Sequence, residues 1–156
     1  AVDALRSAAH SHTFLSVTKQ GTSAIVETAG NQDCHIILRG STQGPNYDAD
    51  SIEETVEMLR QHDLHDAVMV DCSHGNSGKD HTVQPKVTAN VADQIRSGSK
   101  LISGVMLESH LVAGRQDYVE GEDTYGQSIT DNCMGWDTSL DVLEDFADAV
   151  KERRKK

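Results

Sequence analysis

His74, Glu108 and Asp131 are the residues whose types and positions could do chemistry together. One imidazole and two carboxylates make a mixed nitrogen and oxygen donor set, which suits a divalent ion such as Mn, Fe, Co or Zn. Taken singly, each reads as well as a satisfied polar loop residue. What joins them is position: each lies in a polar segment that follows an apolar run or precedes the last helix. His74 sits in Asp71-Cys72-Ser73-His74-Gly75-Asn76-Ser77, Glu108 follows Leu101–Leu107, and Asp131 ends Ser128-Ile129-Thr130-Asp131. Arg39 ends another such run and offers a planar fork for phosphate or carboxylate, or for a salt bridge at the strand end.

The elements that must position these residues alternate. Val2–Ala9 reads as a helix end. Thr13–Thr18 and Ser23–Glu27 read as strands joined at Lys19-Gln20-Gly21-Thr22, a hairpin. His35–Leu38, Ala67–Asp71 and Leu101–Leu107 are short continuous apolar runs, the pattern of strands buried on both faces. Between them, Ser51 and Glu54 form a capping box for a helix carrying Ile52, Val56 and Leu59. Val87, Val91 and Ile95 mark a second helix, and Leu140, Leu143, Ala147 and Val150 mark a last one. The strand centres Ile37, Met69 and Val105 lie 32 and 36 residues apart, the length of a βα unit that returns to a parallel neighbour. The expectation is an α/β fold with a parallel sheet. In such folds the C-terminal strand ends open onto one face, where sites are built.

Composition narrows the function. The chain has 156 residues, enough for one domain, and only 4% are aromatic, so its core should be aliphatic. A net charge of -11 repels nucleic acid and anionic membranes. No apolar run approaches the roughly 20 residues of a membrane span. No signal peptide is evident, but the chain begins at Ala1, so its start can be a cut end. Cys34, Cys72 and Cys133 are odd in number and widely spaced, which points to a reducing, cytoplasmic compartment. No glycine-rich dinucleotide fingerprint or P-loop is present.

The other polar candidates carry weaker signals. Cys72 reads as a structural core residue and Lys79 as a solvated loop lysine. His110 reads as a neighbour that orients a ligand. His62, His65 and His81 read as surface residues, and His35 as a strand residue with a hydrogen-bond partner. His10 and His12 flank the hairpin entrance. The basic tail, Lys151 to Lys156, reads as the end of a helix whose dipole it complements.

Five ordered segments resemble one family. They are Phe14–Lys19, Gly30–Gly40, Asp71–Ser77, Gly104–His110 and Tyr125–Trp136. Together they resemble type I DAHP synthase (3-deoxy-D-arabino-heptulosonate 7-phosphate synthase), over essentially the whole chain. The resemblance implies the C-terminal half of a (β/α)8 TIM barrel with an inserted β-hairpin. It treats residues 1–156 as one unit, with the hairpin at about 13–27 and βα units at about 35–156. It implies that His74, Glu108 and Asp131 bind a divalent metal and that Arg39 contacts phosphoenolpyruvate. It implies that Phe14, Ser16 and Val26 help bind an aromatic amino-acid inhibitor. The reaction it implies is metal-dependent condensation of phosphoenolpyruvate with erythrose 4-phosphate. The family's fourth ligand, a cysteine, and several phosphate-holding cations come from an N-terminal half, whose segments are not in this chain. An alternative reading is a non-catalytic effector-binding or regulatory fragment, and another is a metal-dependent hydrolase on the same fold. An open half-barrel would leave strand edges free, so the expectation includes a homo-oligomer.

Overall fold

Three parallel strands form the central sheet. A computed structural model describes residues 1–156, in the order α1 (Val2–Ala9), β1 (Thr13–Val17), β2 (Ser23–Glu27), β3 (Ile36–Leu38), α2 (Ala49–Arg60), β4 (Val68–Asp71), α3 (His74–Ser77), α4 (Gln84–Ser97), β5 (Ile102–Met106), β6 (Val112–Arg115), β7 (Gln127–Ser128) and α5 (Trp136–Arg153). The sheet order is β3-β4-β5, all parallel. Ile37 pairs with Met69. Met69 pairs with Gly104, because the register shifts by one residue at Ser103. The α/β class expected from the alternating pattern is the class observed. No helix is long and apolar enough to cross a membrane.

The sheet is covered on one face. Ile36, Leu38, Val68, Val70 and Ile102 point toward the helices and meet Ile52, Val56 and Leu59 of α2, and Val87, Val91 and Ile95 of α4. Each such aliphatic side chain contributes about 1.5–3 kcal/mol when fully removed from water. The expectation of strands buried on both faces fails. Ile37 is 40% exposed and Met106 is also open, because no element packs on that side of the sheet.

Two local readings also change. The helix begins earlier than a cap at Ser51 implies. Asp48 is the N-cap, its carboxylate accepting from the Ser51 N–H at 2.9 Å and from the Ser51 hydroxyl at 2.7 Å. In α5 the buried face is Ser139, Val142 and Ala149, while Leu140 and Leu143 are exposed. Leu140, Leu143 and Trp136 instead form a second apolar stripe, facing a cavity shared with His110 and Leu111. α5 is tied to α4 through Arg96, whose guanidinium meets Asp145 at 2.5 Å and Glu152 at 3.4 Å. Near the chain's end, Arg153 donates to the Ser99 carbonyl at 2.9 Å.

The hairpin is antiparallel, with Phe14 opposite Val26 and Ser16 opposite Ala24. Side chains alternate across a strand, so Phe14, Ser16 and Val26 share one face. The other face carries Leu15, 78% exposed, and Ile25, 76% exposed. At the hairpin entrance, the His10 and His12 rings bond the Arg6 and Ser7 carbonyls at the end of α1, the latter also accepting the His10 N–H.

The cap makes a ranking prediction. Asp48→Ala should lower stability by about 1 kcal/mol in a denaturant melt, and Ser51→Ala by less. The reverse order would mean that Ser51 is the cap.

Candidate metal centre

β4 delivers the centre. Its last residue, Asp71, is 2% exposed, and its carboxylate accepts three hydrogen bonds. Oδ1 takes the Ser73 N–H at 2.8 Å and the Ser73 hydroxyl at 2.5 Å. Oδ2 takes the His74 Nδ1–H at 2.7 Å. His74 opens the one-turn helix α3 at φ +37°, and Gly78 closes that turn at φ +64°. A left-handed backbone is uncommon for a side chain larger than glycine, though histidine tolerates it better than most. Here the turn swings the imidazole back over the end of its own strand.

With a carboxylate accepting at Nδ1, the neutral ring carries its proton there and presents a lone pair at Nε2. That nitrogen faces Glu108 Oε1 at 3.4 Å. A proton on either group, or a bound cation, relieves two acceptors at that distance. Glu108 is held at its backbone by the buried Gln84 side chain, which accepts from its N–H at 3.1 Å and donates to its carbonyl at 3.2 Å. Asp131 comes from the loop after β7, where Arg115 Nε donates to the Thr130 carbonyl at 3.0 Å. Lys79 Nζ lies 3.6 Å from Asp131 Oδ1 while its side chain stays 65% exposed, so it is a solvated loop lysine that also reaches an anion.

One donor atom from each of His74, Glu108 and Asp131 falls within 4.8 Å of the others. Donors around a tetrahedral ion with bonds near 2.05 Å are about 3.3 Å apart, so the His74–Glu108 spacing fits directly. The electrostatics agree. Burial pushes the Glu108 carboxyl above its ordinary value, and Asp131 and Asp71 push the same way, against His74 and Lys79. A bound cation would reverse that push.

Arg39 reaches the rim differently. The backbone of Gly40, at φ +72°, packs on Gly75, where an added Cβ would lie 2.5 Å from the Gly75 carbonyl carbon. Asn76 N–H donates to the Arg39 carbonyl at 3.2 Å. The buried Asn76 amide donates to the Leu38 and Asp71 carbonyls at 3.0 and 2.7 Å and accepts from the Asn46 N–H at 2.8 Å. These contacts clasp the loop after β3 to the loop after β4. The Arg39 guanidinium itself is exposed and joins neither the three-residue cluster nor a salt bridge.

Other readings change too. His110 does not orient a ligand; its Nδ1 accepts from the Leu111 N–H at 2.8 Å, away from the cluster. Cys72 is in the core, where burial, with Asp71 beside it, pushes its thiol up to about 12. Asp71, Asn76 and Gln84 were not singled out in the sequence. The Asp-x-x-His spacing at a strand end was the available signal for Asp71.

The family model described as "DAHP synthetase I family" matches residues 1–144. The chain belongs to that family. Among curated members, it is 54% identical over 156 residues to a phospho-2-dehydro-3-deoxyheptonate aldolase of Haemophilus influenzae, covering 99% of this chain and 43% of that protein. It is 52% identical over 155 residues to the Phe-sensitive aldolase of that name from Escherichia coli, covering 99% of this chain and 44% of that protein. A solved Francisella tularensis aldolase of the same name superposes with a TM-score of 0.91 at 48% identity, covering 98% of this chain and 45% of that one. This DAHP synthetase I chain therefore spans less than half the length of the relatives it matches.

The clasp predicts a difference between two glycines. Gly40→Ala adds a backbone collision to the strain of a positive φ, whereas Gly78, with open space around it, adds only the strain. Gly78→Ala should cost about 1–2 kcal/mol and Gly40→Ala clearly more, read as melting temperatures. Equal losses would mean that the loops are not held in contact.

Proposed function

We propose that this chain is the C-terminal half of a (β/α)8 barrel that condenses phosphoenolpyruvate with erythrose 4-phosphate, giving DAHP and phosphate at the start of the shikimate pathway. The convergence of His74 and Glu108, from the C-terminal ends of β4 and β5, with Asp131 from the loop after β7 carries this reading. Family membership supports it. The half-barrel is supported by the chain's share of its relatives, 43% of the Haemophilus influenzae protein. The uncovered sheet face and the exposed stripe at Trp136, Leu140 and Leu143 are apolar surfaces that the other half would bury.

In this reading His74, Glu108 and Asp131 hold a divalent ion of the Mn, Fe, Co or Zn kind. What a bound ion supplies is Lewis-acid polarisation of the aldehyde carbonyl. Arg39 grips the phosphoenolpyruvate anion through its planar fork and fixes which face of the enol meets the aldehyde. The enol carbon forms the new bond to the aldehyde carbon, water adds at the other enol carbon, and phosphate leaves. The single hairpin face bearing Phe14, Ser16 and Val26 supports an aromatic amino-acid inhibitor site, in keeping with the printed name of the Phe-sensitive relative.

The test uses two proteins. Alone, with Mn(II) and both substrates, the 156-residue chain should form no DAHP. Joined behind the N-terminal part of the Haemophilus influenzae relative, it should consume both substrates one to one, and His74→Ala should abolish this. Condensation by the chain alone would contradict the shared site. Phosphate release without loss of erythrose 4-phosphate would mark a hydrolase instead.

A further inference from the structure

Asp71 is buried, yet it is not one of the three converging donors. Its whole acceptor capacity is turned to the segment that follows it. Ser73 fills Oδ1 with a backbone and a hydroxyl donor, His74 Nδ1 fills Oδ2, and the Ser73 hydroxyl oxygen also lies 3.0 Å from His74 Nδ1. Two consequences follow from that geometry. The ring of His74 is fixed as the tautomer whose Nε2 is free to accept, and it is held at an unfavourable φ with that nitrogen 3.4 Å from Glu108. A carboxylate behind an imidazole also raises the electron density that its far nitrogen offers a cation.

We propose that Asp71 is the positioning residue of the metal centre: by holding Nδ1–H of His74 it sets both the tautomer and the aim of the Nε2 donor. The proposal rests on the metal reading of His74, Glu108 and Asp131. A merely structural Asp71 would serve only to satisfy the Ser73 donors and close the turn. The two roles separate in Asp71→Asn. An asparagine that keeps its amide oxygen on the Ser73 donors places NH₂ against His74 Nδ1. The ring must then accept at Nδ1 and carry its proton on Nε2, where a metal needs the lone pair.

The experiment reads tautomer and metal separately. In the metal-free 156-residue chain, long-range nitrogen–proton NMR of His74 should show the Nδ1–H form, and Asp71→Asn should shift it to Nε2–H. In a Co(II) titration followed by visible absorption, Asp71→Asn should weaken binding about 10–100-fold. Ser73→Ala, which removes the longer hydroxyl contact to Nδ1 but leaves the Asp71–His74 bond in place, should change it much less. A wild-type ring in the Nε2–H form overturns the proposal, as does Co(II) binding by Asp71→Asn equal to wild type. A wild-type chain with the Nδ1–H ring but no Co(II) spectrum would instead overturn the metal reading. Should Asp71→Asn fail to fold, the wild-type tautomer still decides.

Discussion

Gly40 lies against Gly75, backbone on backbone, and the geometry of the rim depends on that contact. Neither position has room for a Cβ. Asn76 locks the approach by bonding the carbonyls at the ends of β3 and β4 and the loop between β3 and α2. The distance between the Arg39 backbone and the His74 turn is therefore set by main-chain atoms, not by adaptable side chains. On the other side, Gln84 pins the backbone of Glu108 in the same manner. A centre with donors from separate loops stays assembled only if each loop is fastened to its strand end, and these polar side chains do the fastening.

The same chain is conspicuously unfinished elsewhere. Its helices cover one face of the β3-β4-β5 sheet and leave Ile37 and Met106 on the other. Trp136, 54% exposed, leads an apolar stripe on α5 that faces an open cavity beside His110 and Leu111. Water gains little from such surfaces, and their burial by another half of a barrel would stabilise both pieces. The three-donor cluster and the open apolar layers both support the proposed half-barrel, in which a second half would supply the missing cover and the remaining polar groups.

Much of this was legible in the sequence. Short aliphatic runs at regular spacing implied parallel strands, and polar residues after those runs implied a rim. His74, Glu108 and Asp131 could be chosen on those grounds, and the structure brings them within reach of one another. Less legible was anything that depends on packing partners. The apolar residues of α5 have two stripes, and spacing alone could not say that Val142 and Ala149 face inward while Leu140 and Leu143 do not. Ser51 resembled a cap, but Asp48, three residues earlier, wins because a carboxylate there reaches both Ser51 donors. Asp71 carried only the Asp-x-x-His spacing as a signal, and that spacing acquires meaning once the His74 turn brings the ring back onto the carboxylate. The β6–β7 pairing was missed because Gln127–Ser128 is too short to leave a period.

The measurement that reaches the central claim most directly is a crystal of this chain soaked to saturation with Mn(II), with the ion located by its anomalous scattering. The account predicts one strong site at about 2.0–2.2 Å from His74 Nε2 and from one carboxylate oxygen each of Glu108 and Asp131. An ion bound elsewhere, or coordinated by Nδ1 of His74, or absent from this cluster at saturation, would contradict it.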